Sequence, residues 1–206
     1  MEFFDPLDYD NLGASIARAL EDRPVVSLEG IPKFDGAGIY ALYYTGSFPA
    51  YDDLASANRA DPGSWAIYIG KAEAENARKG DPAQAKVPVG AKLYNRIRKH
   101  RSSIESADNL AINDFQVRAL AVSPTWVPLA EVVAIRMHNP VWNVIVDGLG
   151  NHDPGSGRYN GVRPRWDTLH PGRSWAPKLP PRGETANDIS QDVRQYLRTY
   201  MNRHRA

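Results

Sequence analysis

Cysteine is absent from the 206 residues. That excludes disulfides and thiolate metal sites and suits a reducing compartment. No apolar run approaches the roughly 18 residues that a membrane-spanning helix needs. The N-terminus also lacks a basic stretch followed by an apolar core. The expected location is therefore the cytoplasm, with no membrane partner. Missing too is a G-x-x-x-x-G-K-[ST] loop, so nucleotide hydrolysis is not indicated. Any one sign of charge barely dominates, since the net value is +1.

The distribution of charge says more than its sum. Residues 1–62 hold 11 acidic and 4 basic side chains, whereas residues 63–206 hold 13 acidic and 21 basic. A basic body behind an acidic leader suits a polyanionic partner. The length is enough for one domain with a sizeable core.

Two apolar, aromatic and β-branched runs, Gly38–Tyr44 (GIYALYY) and Trp65–Gly70 (WAIYIG), read as strands. A turn-rich link, residues 45–64, makes an antiparallel pair the simplest arrangement. Strand alternation then sets Tyr68 on the face opposite Ile67 and Ile69, and lets the Tyr40 and Tyr68 hydroxyls converge. Ahead of them, residues 10–21 have helical spacing and residues 25–28 form a short extended piece. Residues 72–90 have no apolar period and read as an exposed loop, in which Arg78, Lys79 and Lys86 would meet phosphates of a nucleic acid.

Residues 91–104 read as a helix with Leu93, Ile97 and Ile104 as its apolar stripe. Lys92, Arg96 and His100 recur along an adjoining face. Residues 113–122 alternate and read as a third strand. Pro128 can open a helix over 129–139 that is apolar on most faces. Glu131 stands out there, because a carboxylate in such a setting needs a cation, an arginine or an exposed cleft edge. Residues 149–176 are irregular and rich in Gly, Pro, Arg, amides and aromatics, the residue types that read base edges. Arg158, Asn160, Arg163, Arg165 and Arg173 are the candidate DNA contacts. A Pro-rich linker, 177–183, precedes a final amphipathic helix over 187–204.

In order, the chain therefore presents Gly38-Ile39-Tyr40, Tyr68-Ile69-Gly70, Arg96 and His100 on a helix, Glu131 on a later helix, and Asn143. This set resembles the GIY-YIG nuclease superfamily. Arg96-x-x-x-His100, the Glu131…Asn143 spacing and the tail GLGNHDPGSGRYN…RPRWDTLHPGR resemble its small type II restriction endonucleases, which read the palindrome CCGCGG. The resemblance implies an α/β (α+β) fold with a central antiparallel three-stranded sheet flanked by helices. It implies a single domain with a catalytic core over 36–146, a DNA-recognition tail over 147–180 and a C-terminal helix over 185–206.

The resemblance also implies the chemistry. One divalent ion, Mg²⁺ with Mn²⁺ as the alternative, is held by Glu131. Arg96 braces the scissile phosphate, Tyr40 is the general base with His100 as its partner, and Tyr68 orients water or phosphate. Asn143 hydrogen-bonds Glu131 or phosphate, while Lys71 adds a phosphate contact. Arg163 and Arg165 are expected to carry sequence discrimination. Cutting both strands of a palindrome calls for two sites related by a dyad, hence a homodimer on double-stranded DNA. The PD-(D/E)xK alternative fails, because no lysine has an acidic residue two positions before it. The rivals are a monomeric nicking or repair-type enzyme of the superfamily, and a non-catalytic DNA-binding module on the same scaffold.

Overall fold

A computed structural model describes residues 8–73, 90–155 and 157–205. Arg78, Lys79 and Lys86 lie outside the described residues. The sheet has four antiparallel strands: β1 (Val26–Ser27), β2 (Gly38–Tyr44), β3 (Ala66–Ala72) and β4 (Phe115–Ala121), in the order β1-β4-β2-β3. The expected three strands gain a fourth because Val26 and Ser27 pair with Val117 and Gln116. β2 is buried along its whole length. A strand covered on both faces reads as a continuous apolar run, as GIYALYY does.

Helices cover both faces. On one, α1 (Tyr9–Glu21) and α4 (Val127–His138) bury Ala17, Leu20, Ala130 and Ala134 against Ile39, Ala41 and Ile69. On the other, α2 (Asp52–Ala60), α3 (Lys92–Glu105) and α7 (Ala186–Arg205) close over Tyr40, Leu42, Tyr44 and Phe115. Two short helices, α5 (Val141–Val144) and α6 (Arg165–Leu169), place Trp142 and Trp166 in that same core.

Two local expectations change. The link over 45–64 is not merely turns, since α2 lies within it and buries Leu54, Ala55 and Asn58. Asn58 Nδ2 donates to the Tyr44 and Trp65 carbonyls at 3.0 and 2.9 Å, tying α2 to both flanking strands. Strand alternation in β3 is also broken. The register steps from Leu42↔Tyr68 to Tyr43↔Ala66, so Ile67 is an extra residue that packs with Tyr68 rather than opposite it.

Two backbone positions, Gly38 and Asn139, shape the frame around the site. A Cβ on Gly38 would lie 2.0 Å from the Leu120 carbonyl oxygen, so β2 and β4 can close only on a glycine. Asn139 adopts the left-handed conformation that ends α4, and Pro140 follows it. The chain then turns at once into α5, which delivers Asn143 to the outer edge of β3.

Candidate active site

The site is built around β3, the edge strand. In register, Tyr40 faces Gly70 and Leu42 faces Tyr68, so the two tyrosines are diagonal neighbours on one face. Their ring centroids are 6.1 Å apart. α3 brings His100 against both, 5.7 Å from the Tyr40 ring and 5.2 Å from the Tyr68 ring. Gly70 makes this convergence possible: a Cβ there would stand 2.5 Å from the Tyr40 hydroxyl oxygen and 2.8 Å from Tyr68 Cε1.

The electrostatics are those of a dry pocket beside a cation. Tyr40 is fully buried and its hydroxyl has no hydrogen-bond partner among the described residues. Burial pushes its phenol well above the ordinary range; Tyr68 adds to the rise, and Arg96 opposes it. His100 is 1% exposed with Nε2 unpartnered. Burial, followed by the charge of Arg96, lowers it to about 3, so its imidazole is neutral near pH 7. Buried polar atoms in native proteins are rarely left without partners. Two unpartnered atoms in adjoining rings mark a place where water or substrate is wanted.

Arg96 stands one turn before His100, at the edge of an open cleft of about 880 Å³. Lys71, Lys92, Arg98 and Lys99 line the cleft with it, against Glu73 and Asp153. The excess of positive charge fits a phosphate backbone. Lys92 thus lies on the cleft as expected, but the face is not the one drawn from spacing alone. His100 points into the core, and Lys99 takes a place on the cleft wall.

Glu131 comes from the other face of the sheet, on α4. Lys71 Nζ lies 3.0 Å from its Oε2 and 2.9 Å from Glu73 Oε1. The cation required by a carboxylate on this apolar helix is therefore Lys71. Burial pushes the Tyr68 phenol up; Arg96 opposes the rise and Glu131 adds to it, so the two halves of the site meet at Tyr68. No group of three or more His, Cys, Asp or Glu side chains gathers among the described residues. The described residues alone therefore form no metal cage. A hard carboxylate such as Glu131 beside a basic cleft fits a divalent ion of the Mg²⁺ type, which keeps most of its ligands as water and substrate oxygens.

Asn143 is engaged differently from its expected role. Its Oδ1 accepts from the Ile69 N–H and its Nδ2 donates to the Ile69 carbonyl, both at 2.8 Å. The side chain acts as a one-residue partner strand that fixes the backbone of Tyr68-Ile69-Gly70.

The arginines of the tail divide. Arg158 and Asn160 are exposed. Arg173 is buried, and its N–H groups are all taken up within the chain. Nε and Nη2 grip Asp167 at 2.6 and 2.5 Å, while Nη1 and Nη2 reach the carbonyls of Gly148, Leu149 and Asn151. Trp166 and Trp175 lie 4.6 and 4.7 Å from the guanidinium. No donor remains for a base. Arg165 pairs with Glu184 at 2.8 Å and with Asp192, and donates to the Ile145 carbonyl at 2.9 Å. Arg163 donates to the Ala176 and Leu179 carbonyls at 3.1 and 3.4 Å. These three side chains hold the tail and α7 to the core.

Sequence reasoning passed over Lys99, Glu73 and His152 as members of the cleft. His152 approaches Arg96 at 3.5 Å, from a stretch whose irregularity offered no periodic signal. Glu73 had one usable sign: it follows Lys71 by two, on the same side of the strand.

A family model described as the Eco29kI GIY-YIG domain matches residues 32–197, a span that contains every side chain of the site. No curated protein matches the chain. No described helix is long and apolar enough to cross a membrane.

Proposed function

The chain belongs to the Eco29kI GIY-YIG family of restriction nucleases, and from that premise we propose that it is a type II, site-specific endonuclease. It cuts both strands of double-stranded DNA at a palindrome, CCGCGG, and acts as a homodimer on its substrate. The observation that carries this reading is the meeting of Tyr40, Tyr68, His100 and Arg96 at a basic cleft, with the Tyr40 hydroxyl and His100 Nε2 left unpartnered.

GIY-YIG nucleases are generally dependent on a divalent metal. Glu131 would hold it; when bound, the ion neutralises the phosphate and acidifies a water. Arg96 braces the scissile phosphate and stabilises the charge that develops there. Tyr40 takes the proton of the attacking water. A phenol held above its ordinary range cannot act as a resting phenolate, so it must lose its own proton in the same step. The neutral imidazole of His100, in contact with the Tyr40 ring, is the acceptor. Burial and then the Arg96 charge depress His100 in the free protein; bound phosphate offsets the second of these and makes the imidazole a better acceptor once DNA is in place. Lys71 leaves Glu131 for Glu73 or for a phosphate. Asn143 keeps Tyr68 in register.

The test is digestion of plasmid DNA with Mg²⁺, an EDTA control and sequencing of the fragment ends. Ends inside CCGCGG are expected, and Glu131→Ala and Tyr40→Phe should abolish cutting while specific binding persists. Cutting by either variant at near the wild-type rate would refute these roles.

A further inference from the structure

The loop over 148–153 is held more firmly than a connecting loop requires. Arg173 and Asp167 form an ion pair whose side chains are 4% and 1% exposed. Burying charges costs several kcal/mol per ion unless every donor is matched. Here the match is made by three consecutive-region carbonyls of the loop, those of Gly148, Leu149 and Asn151. The loop backbone is thereby set against the site: a Cβ on Gly150 would lie 3.0 Å from Arg96 Nη2 and 3.8 Å from the Tyr68 hydroxyl oxygen.

The next side chain but one, His152, projects into the cleft, with Nε2 3.5 Å from Arg96 Nη1. Arg96, Lys99, Arg173 and His100 are the titratable or cationic groups around it. A neutral imidazole accepts this long hydrogen bond from Arg96, and the positive charge gathered around the pair suits an anion that would draw on both groups. Partial desolvation at the cleft wall and these cations hold His152 below its ordinary range, so an entering phosphate meets an imidazole that it can induce to take up a proton.

We propose that His152 is a second ligand of the DNA phosphate, gripping it opposite Arg96, and that Arg173 is the positioning residue that holds His152 there. The inference rests on the nuclease reading of the same site and adds a residue to it. The recognition tail, on this account, completes the phosphate-binding wall of the active site.

The experiment uses the full chain and duplex DNA carrying CCGCGG. Binding is measured against salt concentration at pH 6.5 in EDTA, and single-turnover cleavage is followed in Mg²⁺. His152 is exposed, so His152→Ala should fold with an unchanged Tm. Its salt slope should fall by about one phosphate contact, and its cleavage rate roughly tenfold to hundredfold. His152→Gln, which keeps a donor, should recover part of the rate. Arg173→Lys should lose a similar factor but add little in the His152→Ala background, as expected of residues acting through one contact. An unchanged salt slope in His152→Ala overturns the proposal whatever the rate does. A lower slope at an unchanged rate overturns the pairing with Arg96. Failure of the wild type to cut any DNA would instead sink the nuclease reading, and the salt slope would still decide the role of His152.

Discussion

Acidification from pH 7 to pH 5 should destabilise this protein early, before its carboxylates titrate. His100 and His170 are both buried, and burial lowers each from 6.5 to about 3. His170 sits in a closed network. Its Nε2 accepts from the Tyr51 hydroxyl at 2.7 Å, Tyr51 accepts from Trp142 Nε1, and Nδ1–H donates to Asn109 Oδ1 at 2.9 Å. In the unfolded chain both imidazoles titrate near 6.5. A folded pKa below the unfolded one means that stability is fully present above pH 6.5. It is lost as pH falls through the gap towards 3, because the unfolded state takes up protons that the folded state refuses. At 1.36 kcal/mol per unit, each histidine contributes a loss of about 2 kcal/mol by pH 5, or about 4 kcal/mol together. His138 and His152, also held below their ordinary range, act in the same sense. Asp167, whose carboxyl burial pushes up, works the other way and blunts the loss. Against a typical total of 5–15 kcal/mol, the change is large. Urea unfolding followed by tryptophan fluorescence at pH 7 and pH 5 measures it. His100→Gln should cut the loss by about half. A difference below about 1 kcal/mol in the wild type, or an equal loss in His100→Gln, would refute the reasoning.

Gly70→Ala should lower stability by about 1–3 kcal/mol, the usual range for overpacking a filled core, and displace Tyr40. A variant with wild-type Tm and cleavage would mean that the tyrosine pair yields freely. Arg165→Ala should cost about 1–3 kcal/mol of stability, because a half-buried network loses its centre. Its discrimination between CCGCGG and single-base variants should stay as in the wild type. A loss of 1–3 kcal/mol in discrimination at unchanged stability would return Arg165 to the DNA surface.

Much of the frame was legible because its signals are local. Apolar, β-branched runs marked β2 and β3, alternation marked β4, and the position of Glu131 on an apolar helix called for a cation that the structure supplies as Lys71. β1 was visible as an extended piece, but its pairing with β4 is a long-range fact that two residues cannot announce. α2 was hidden for the opposite reason. DDLASANRA is short and polar, and its burial depends on Asn58 meeting carbonyls from two strands. The arginines of the tail are ambiguous by composition. A guanidinium suited to a guanine edge is equally suited to a row of carbonyls, and only the fold shows which carbonyls and carboxylates Arg163, Arg165 and Arg173 meet within the chain. Asn143 carries the same lesson on a smaller scale, since an amide that can hold a phosphate can also match a peptide group.

That amide has a consequence for assembly. An exposed strand edge is a template on which another chain can add by backbone pairing. At one border of this sheet the outward N–H and C=O of Ile69 are already satisfied by Asn143. At the other, β1 offers only two residues. At the β3 border another strand could pair with Ile69 only by first undoing the bonds that also fix the backbone of Tyr68. The same clamp protects β3 from templated aggregation.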